Sequence, residues 1–471
     1  MCFIFLLGAD EVPDFQDCHS QLGRDFFVPV KPAEFPAAIL RYRNQPAAAS
    51  IGLDQLSDAD FVEHFGHFKP MQGSYDSPLA LCYHGHQFGV YNPELGDGRG
   101  FLLAQLREKE TGRLLDLGTK GSGQTPFSRT ADGRLTLKGA VREILATEML
   151  TALGVPTSQT FSVIETGEQL SRNDEPSPAR SAVLVRLSHS HIRIGSFQRL
   201  VALDKPAALV QLARHTMRHY YPHLDAEAAV PDLLADLLVN LTRSVAEMTA
   251  GWMVAGFVHG VLNTDNFNLT GESFDYGPWR FLPELDPAFT AAYFDQQGRY
   301  AYGRQPEAAF WALCRLADCF VRQAEEQALR DALADFTPTL EAAMTRRLFW
   351  RLGLRQPAAA EASRLASEFL KQAEQSRVGF DGLFFWLYGG WRSHQDMPQA
   401  YQPFAELLHG CAPRQPAQPA FFAAEAPVSL TIDEVERVWA AIEPGDDWSE
   451  LDRKLADIRA LGAALAEPQA G

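Results

Sequence analysis

The stretch His259-Gly260-Val261-Leu262-Asn263-Thr264-Asp265-Asn266, followed by Phe274-Asp275-Tyr276-Gly277, decides how the rest of the chain is read. It lies in the irregular segment Gly256 to Arg304, between two helical patterns, so its polar residues sit on a loop that the helices can hold in place. Asn266 and Asp275 carry oxygen ligands of the kind that bind Mg²⁺ or Mn²⁺ beside phosphate oxygens. Asp265, next to Asn266, is the nearest carboxylate that could take a proton from a hydroxyl; its alternative reading is a structural carboxylate.

Upstream, from Leu79 to about Arg193, short β-rich runs broken by glycines predict an antiparallel sheet: HGHQFGVY, LGDGRGFLLAQL, RLLDLGTKGSG and AVLVRLS. One helix interrupts them. From Lys138 to Leu150, Val141, Ile144, Leu145 and Met149 recur at helical spacing, and Gly154-Val155-Pro156 ends the run. A lysine at a strand end, Lys120, followed by Glu143 on this helix matches the pairing by which protein kinases set a phosphate-contacting lysine. Glu148 is the alternative partner, roughly 140° around the helix axis from Glu143. In a kinase loop the base Asp would stand where this chain has Val261, and valine cannot take a proton, which counts against ordinary phosphoryl transfer.

Two further constellations bear on phosphate. Gly96-Asp97-Gly98-Arg99 could let the backbone approach a phosphate, or could be an Asp-Gly hairpin tip. Asp116 to Gly123 lacks the order of a Walker A loop. Val185 to Arg193 sets Arg186 and Arg193 around a strand end, and their forked guanidinium groups suit the oxygens of a triphosphate. Together with Arg99 and Lys120 they form a basic set in a chain whose net charge is -17. His215, His219 and His223, and His84 with His86, have neither the spacing nor the partners of a zinc site.

That acidity argues against nucleic acid as a partner, because such affinity rests on neutralised phosphates. The apolar start Phe3 to Leu7 has no basic flank and is too short to span a bilayer, so no membrane association and a cytoplasmic location are expected. Six cysteines without CxxC spacing predict neither a disulfide framework nor a zinc site. At 471 residues the chain exceeds one ordinary core. The expected division is an N-terminal extension over 1–75, a β-rich lobe over 76–195, a helical lobe over 196–334 and a helical C-terminal region over 335–471. Short helices are predicted around Pro36 to Arg43 and Asp58 to Phe65, and longer ones over Leu200 to Tyr220, Pro231 to Ala255 and Glu307 to Leu333.

Taken together, YHGHQFGVYNPELGDGR, KGSGQTPFSRTADGR, VREILATEM, SHIRIG, HGVLNTDN, FDYGP and QGRYAYGRQP resemble the selenoprotein O (YdiU) family over about residues 75 to 330. The resemblance implies an α+β, protein-kinase-like bilobal fold that acts as a protein adenylyltransferase. ATP would bind in a reversed orientation that presents its α-phosphate, and AMP, or UMP from UTP, would pass to Ser, Thr or Tyr hydroxyls of protein substrates. By the same resemblance, Gly96, Gly98, Arg99, Lys120, Asp132, Gly133, Arg186, Arg193 and Asp275 contact nucleotide, Asn266 and Asp275 hold Mg²⁺ or Mn²⁺, and Asp265 accepts the proton. Asp132-Gly133 reads otherwise as a plain turn. The competing expectations are a true kinase and a catalytically silent nucleotide-binding scaffold. The chain has no cysteine after Cys411, and none in Pro287 to Asp295, the stretch where some bacterial relatives carry one and this chain has alanines at 291 and 292, so neither redox control by a C-terminal residue nor a disulfide clamp is expected.

Overall fold

The structure, a computed structural model, describes residues 13–173, 175–390 and 397–466. Cys2, the apolar start Phe3 to Leu7 and the final residues 467–471 lie outside the described residues. The chain is mixed α+β and divides into two units. One takes the chain up to Cys82, Gly96–Leu137 and Gln159–His191, and the other takes Tyr83–Leu95, Lys138–Ser158 and the chain from Ile192 onward.

The first unit is built on a nine-stranded sheet. Its strands are β1 (Phe15–Gln16), β2 (Phe27–Pro29), β3 (Ile39–Arg43) and β4 (Leu79–Leu81), and, after the hairpin strands β5 (Gly85–Gln87) and β6 (Val90–Asn92) of the second unit, β7 (Leu102–Arg107), β8 (Leu114–Lys120), β9 (Leu135–Thr136), β10 (Gln159–Leu170) and β11 (Ala179–Ser188). The order is β2-β4-β7-β8-β11-β10-β3, with β1 beside β7 and β9 beside β11, and every pair is antiparallel. Successive side chains on a strand face opposite ways. Leu115 and Leu117 of β8, with Val183, Val185 and Leu187 of β11, therefore share a core with Phe61, Phe65 and Phe161. Asp116, Gly118 and Lys120 face the other way, with Leu184 and Arg186 beside them.

Helices α1 (Gln45–Ser50) and α2 (Asp58–Phe65) close the apolar face. Asn44 caps α1 by accepting from the Ala47 amide at 3.1 Å, and Ser57 and Asp60 form a capping box on α2. The helix expected at Asp58 to Phe65 is present, whereas the one expected around Pro36 to Arg43 is not. Ile39–Arg43 is instead an edge strand whose Arg43 and Tyr42 pair with Ser162 and Val163 of β10. A vacant sheet edge overrides weak local helix preference.

The second unit is mainly helical. It carries α3 (Leu137–Ala152, entered from the sheet unit), α4 (Ile194–Ala202), α5 (Pro206–Tyr220), α6 (Val230–Ala255), α7 (Gln305–Ala317), α8 (Glu326–Ala334), α9 (Phe336–Arg351), α10 (Ala359–Ser376), α11 (Phe380–Trp386), α12 (Gln402–Leu407), α13 (Ile432–Gly445) and α14 (Ser449–Leu465). The short antiparallel pair β12 (Phe257–Val258) and β13 (Arg280–Phe281) brackets the polar loop. Helix α6 has Pro231 in its first turn and ends on Gly256 in the left-handed conformation, φ 70°, which turns the chain directly into β12. Its last turns, Met253 and Val254, join Leu348, Phe349, Phe369, Phe384 and Phe404 in a helical core. The run expected over Leu200 to Tyr220 is two helices, because Asp204 adopts φ 51° and Pro206 opens a new first turn. The run expected over Glu307 to Leu333 likewise divides into α7 and α8.

Phe161 is fully buried, stacks on Phe61 at 5.4 Å between centroids and meets Phe65 edge-on at 5.3 Å. Phe161→Ala is therefore expected to cost about 3–5 kcal/mol in denaturant unfolding. A loss below about 1 kcal/mol would mean that α2 does not close this face.

Candidate active site

In the sheet unit the positions of the candidate side chains follow from strand register. Lys120 lies opposite Leu184, and Gly118 opposite Arg186, so Lys120 and Arg186 are diagonal neighbours on one face. Both are almost wholly buried, at 3% and 4% exposure. The glycine-rich segment before β7 lies along this strand end. The Gly121 amide donates to the Arg99 carbonyl at 2.6 Å, and a Cβ on Gly100 would stand 2.0 Å from the Thr119 carbonyl oxygen. The Ser128 hydroxyl donates to the Gly98 carbonyl, and the Gly123 amide to the Gly133 carbonyl at 3.2 Å. Gly133 needs its glycine twice over, since φ is 71° and a Cβ would meet Gly123 at 2.3 Å. The unit thus gathers Gly98, Arg99, Lys120 and Gly133 by backbone contacts, with Arg186 across the register.

The hairpin reading of Gly96 to Arg99 is corrected. β6 pairs with β5 and β7 with β8, so these residues cap no hairpin. Asp97 is tied to β4 instead: its amide donates to the Leu81 carbonyl at 3.0 Å, and its carboxylate accepts from the Leu81 amide at 3.1 Å. Gly96 lies against the Phe127 ring, where a Cβ would come within 2.3 Å. Asp132 accepts from Arg172 Nη1 at 2.7 Å and from the Arg134 amide at 2.9 Å. Burial works against its charge, but the Arg172 and Arg134 contacts prevail and hold the carboxyl below its ordinary range. Arg172 carries no motif, so nothing in the sequence pointed to it.

In the helical unit the polar loop is held from several sides. Asp265 and Asn266 lie in the 3₁₀ turn Thr264–Asn266. The Thr264 hydroxyl donates to Gln198 Oε1 at 2.8 Å and accepts from the His86 amide at 2.8 Å. Asn263 Oδ1 accepts from the Phe88 amide at 3.0 Å and the Tyr300 hydroxyl at 2.8 Å. Arg193, at the start of α4, donates to the Asp265 carbonyl at 3.0 Å, and its guanidinium carbon lies 4.4 Å from the Tyr83 ring centre and 4.9 Å from that of Phe274. Asn266 Nδ2 donates to Asp275 Oδ2 at 3.3 Å, and Asp275 itself adopts φ 62°, a conformation few non-glycine residues take. His259 Nε2 contacts the Phe274 carbonyl at 3.0 Å, joining the loop to the segment that carries Asp275. Arg193, Asp265, Asn266 and Asp275 are thus brought together, and Asn263, Thr264 and Gln198 are supporting residues that sequence reasoning missed.

On α3, Glu143 is buried, whereas Glu148 forms a two-pronged ion pair with Arg459 of α14 at 2.5 and 3.0 Å. Glu148 is thus engaged by Arg459. Among the described residues no group of three or more His, Cys, Asp or Glu converges as a metal cage. His84 hydrogen-bonds Tyr91 at 2.6 Å, and burial, helped by Arg199, pushes its pKa down to about 4, while His86 accepts from Gln198 at 2.8 Å. Both are hydrogen-bonding residues of the β5–β6 hairpin. Cys18, Cys314, Cys319 and Cys411 are free thiols. Among the described residues no helix is long and apolar enough to cross a membrane.

With a β-rich unit and a helical unit, the chain is an α+β nucleotidyltransferase. The chain belongs to the protein adenylyltransferase SelO family, whose sequence profile matches residues 12–459. It is 46% identical to the protein nucleotidyltransferase YdiU of Trichormus variabilis over 79% of this chain and 76% of that one. The protein of the same name from Synechococcus elongatus is 40% identical over 96% of each chain. A rhoptry antigen kinase domain from Toxoplasma gondii aligns at 11% identity with a TM-score of 0.29, covering 58% of this chain and 83% of that one, a likeness too slight to carry any argument.

Because Arg193 joins two aromatic faces to the loop backbone, Arg193→Lys should speed amide exchange over residues 263–267 and lower stability by about 1–3 kcal/mol. Unchanged exchange there would show that the loop is held without it.

Proposed function

We propose that this chain transfers AMP from ATP to Ser, Thr or Tyr hydroxyls of protein substrates, releasing pyrophosphate, on a bilobal protein-kinase-like fold. The observation that carries the reading is the contact of Asn266 with Asp275 at 3.3 Å on a loop whose kinase-type base position is Val261. The loop retains a cation-binding pair and lacks the base for γ-phosphoryl transfer. The names of the Trichormus and Synechococcus relatives, protein nucleotidyltransferases, support nucleotidyl over phosphoryl transfer.

In this reading Asp265 takes the proton of the acceptor hydroxyl, whose oxygen attacks the α-phosphorus; the bond from that phosphorus to the bridging oxygen breaks, and pyrophosphate carries away the electron pair. Lys120, Arg186 and Arg193 hold the β- and γ-phosphates, with Gly96, Gly98, Arg99, Asp132 and Gly133 completing the nucleotide contacts and Glu143 serving as the ion-pair partner of Lys120. The donor set of Asn266 and Asp275, one carboxamide and one carboxylate in contact, fits Mg²⁺ or Mn²⁺, which is commonly held by one or two side chains and completed by phosphate and water. A cation bound there would neutralise phosphate charge.

The test is covalent labelling of a generic protein acceptor with ATP labelled at either the α- or the γ-phosphate, in the presence of Mg²⁺ or Mn²⁺. Label is expected from the α-position alone, to be lost in Asp275→Ala and reduced about 10²–10⁴-fold in Asp265→Asn. Label from the γ-position would establish a kinase instead, and label from neither, with nucleotide still bound, would favour a scaffold. Parallel reactions with UTP decide whether UMP is also transferred.

A further inference from the structure

We propose that His191 is a positioning residue that fixes the guanidinium of Arg186, so that polyphosphate binding depends on a buried relay running from Gln105 through Asp116 and His191 to Arg186. The proposal rests on the reading of Arg186 as a phosphate ligand and adds to it three residues with no direct role toward nucleotide.

The relay lies wholly within the sheet unit. Gln105 and Asp116 are register partners on β7 and β8, and Gln105 Nε2 donates to Asp116 Oδ1 at 2.7 Å. Gln105 Oε1 is held in turn by the amides of Cys18 and His19, at 3.2 and 2.8 Å, and by the Tyr75 hydroxyl at 2.9 Å. The other carboxylate oxygen, Asp116 Oδ2, accepts from the His191 amide at 2.8 Å and lies 3.4 Å from His191 Nδ1. At the far side of the ring, Arg186 Nε lies 3.1 Å from His191 Nε2. Gln105, Asp116, His191 and Arg186 are all buried.

Chemistry fixes the protonation of this relay. An arginine Nε can only donate, so His191 Nε2 must be the acceptor and the ring proton must sit on Nδ1, facing Asp116. Burial, assisted by the Arg186 charge, pushes the imidazole pKa down against the pull of Asp116, in keeping with a neutral ring. With Nε engaged, rotation of the planar guanidinium about the Cγ–Cδ and Cδ–Nε bonds is restrained, and a fork already oriented loses less entropy when it meets phosphate oxygens.

Gly118 is the second, independent sign that the ring is built into its place. It lies directly opposite Arg186 in the β8–β11 register, and a Cβ there would stand 2.5 Å from His191 Nε2. Any other residue would displace the imidazole from the Arg186 bond.

The two amide side chains separate the atoms of the ring. In His191→Asn the amide can reach Asp116 but falls short of Arg186; in His191→Gln it reaches far enough to accept from Arg186 Nε. Binding of ATP and of AMP, each with Mg²⁺, would be measured by equilibrium dialysis on the full chain and on Arg186→Ala, His191→Asn, His191→Gln and the Arg186→Ala/His191→Asn double variant. The expected result is that Arg186→Ala and His191→Asn each weaken ATP by about tenfold or more and leave AMP within about twofold, that His191→Gln stays near the parent, and that the double variant is no weaker than Arg186→Ala alone. Full additivity in the double variant, equal losses for ATP and AMP, or parent-like ATP binding in His191→Asn while Arg186→Ala is weak would overturn the relay. ATP binding unchanged in Arg186→Ala would overturn the phosphate role of Arg186 and the relay with it, a pattern distinct from the others.

Discussion

The alternation of Leu115 and Leu117 with Asp116, Gly118 and Lys120 along β8 is the constraint on which the sheet unit depends. One face closes on Phe61, Phe65 and Phe161 and supplies the hydrophobic stabilisation. The other carries charge in a place where unsatisfied polar groups are costly. Asp116 meets that cost with Gln105 and the His191 amide, at 2.7 and 2.8 Å. A one-residue slip of β8 would exchange the two faces, burying Lys120 among phenylalanines, so the apolar core also enforces the register that places the cations.

The helical unit solves the same problem with a loop. A segment without regular structure acquires a single conformation when its own side chains and its backbone are hydrogen-bonded by rigid neighbours. Asn263 and Thr264 face inward and receive such bonds from Phe88, Tyr300 and His86, and Thr264 gives one to Gln198. Arg193 takes the backbone carbonyl of Asp265. The residues proposed for the chemistry at the reacting centre, Asp265, Asn266 and Asp275, are thereby carried on a frame held by Asn263, Thr264 and Arg193.

Much of this was legible in local pattern. The β-rich runs from Leu79, except HGHQFGVY, which forms the separate β5–β6 hairpin, the helix with Glu143, the long helix ending at Ala255 and the loop with Asp265 and Asn266 stand where periodicity and glycine spacing put them. The misses have particular causes. Ile39–Arg43 became a strand because a sheet edge was open to it, and the predicted Leu200 to Tyr220 helix broke where Asp204 turned left-handed. Of the two readings of Gly96 to Arg99, the hairpin tip rests on the local Asp-Gly signal alone and fails, while the bonds of Asp97 to Leu81 depend on a strand distant in sequence.

What the sequence by itself determined is which residue types stand at the candidate positions: oxygen donors at Asn266 and Asp275, a carboxylate at Asp265, cations at Lys120, Arg186 and Arg193, and a valine where a kinase would need a base. Only the tertiary structure decided which of two glutamates on α3 is spoken for by Arg459, that Arg172 holds Asp132, and that Gly118 is a glycine because the His191 ring occupies the space of its side chain. The physical reason is range. Residue type and spacing are set along the chain, whereas hydrogen bonds and close contacts between residues far apart in sequence exist only once strand register and helix packing have brought them together.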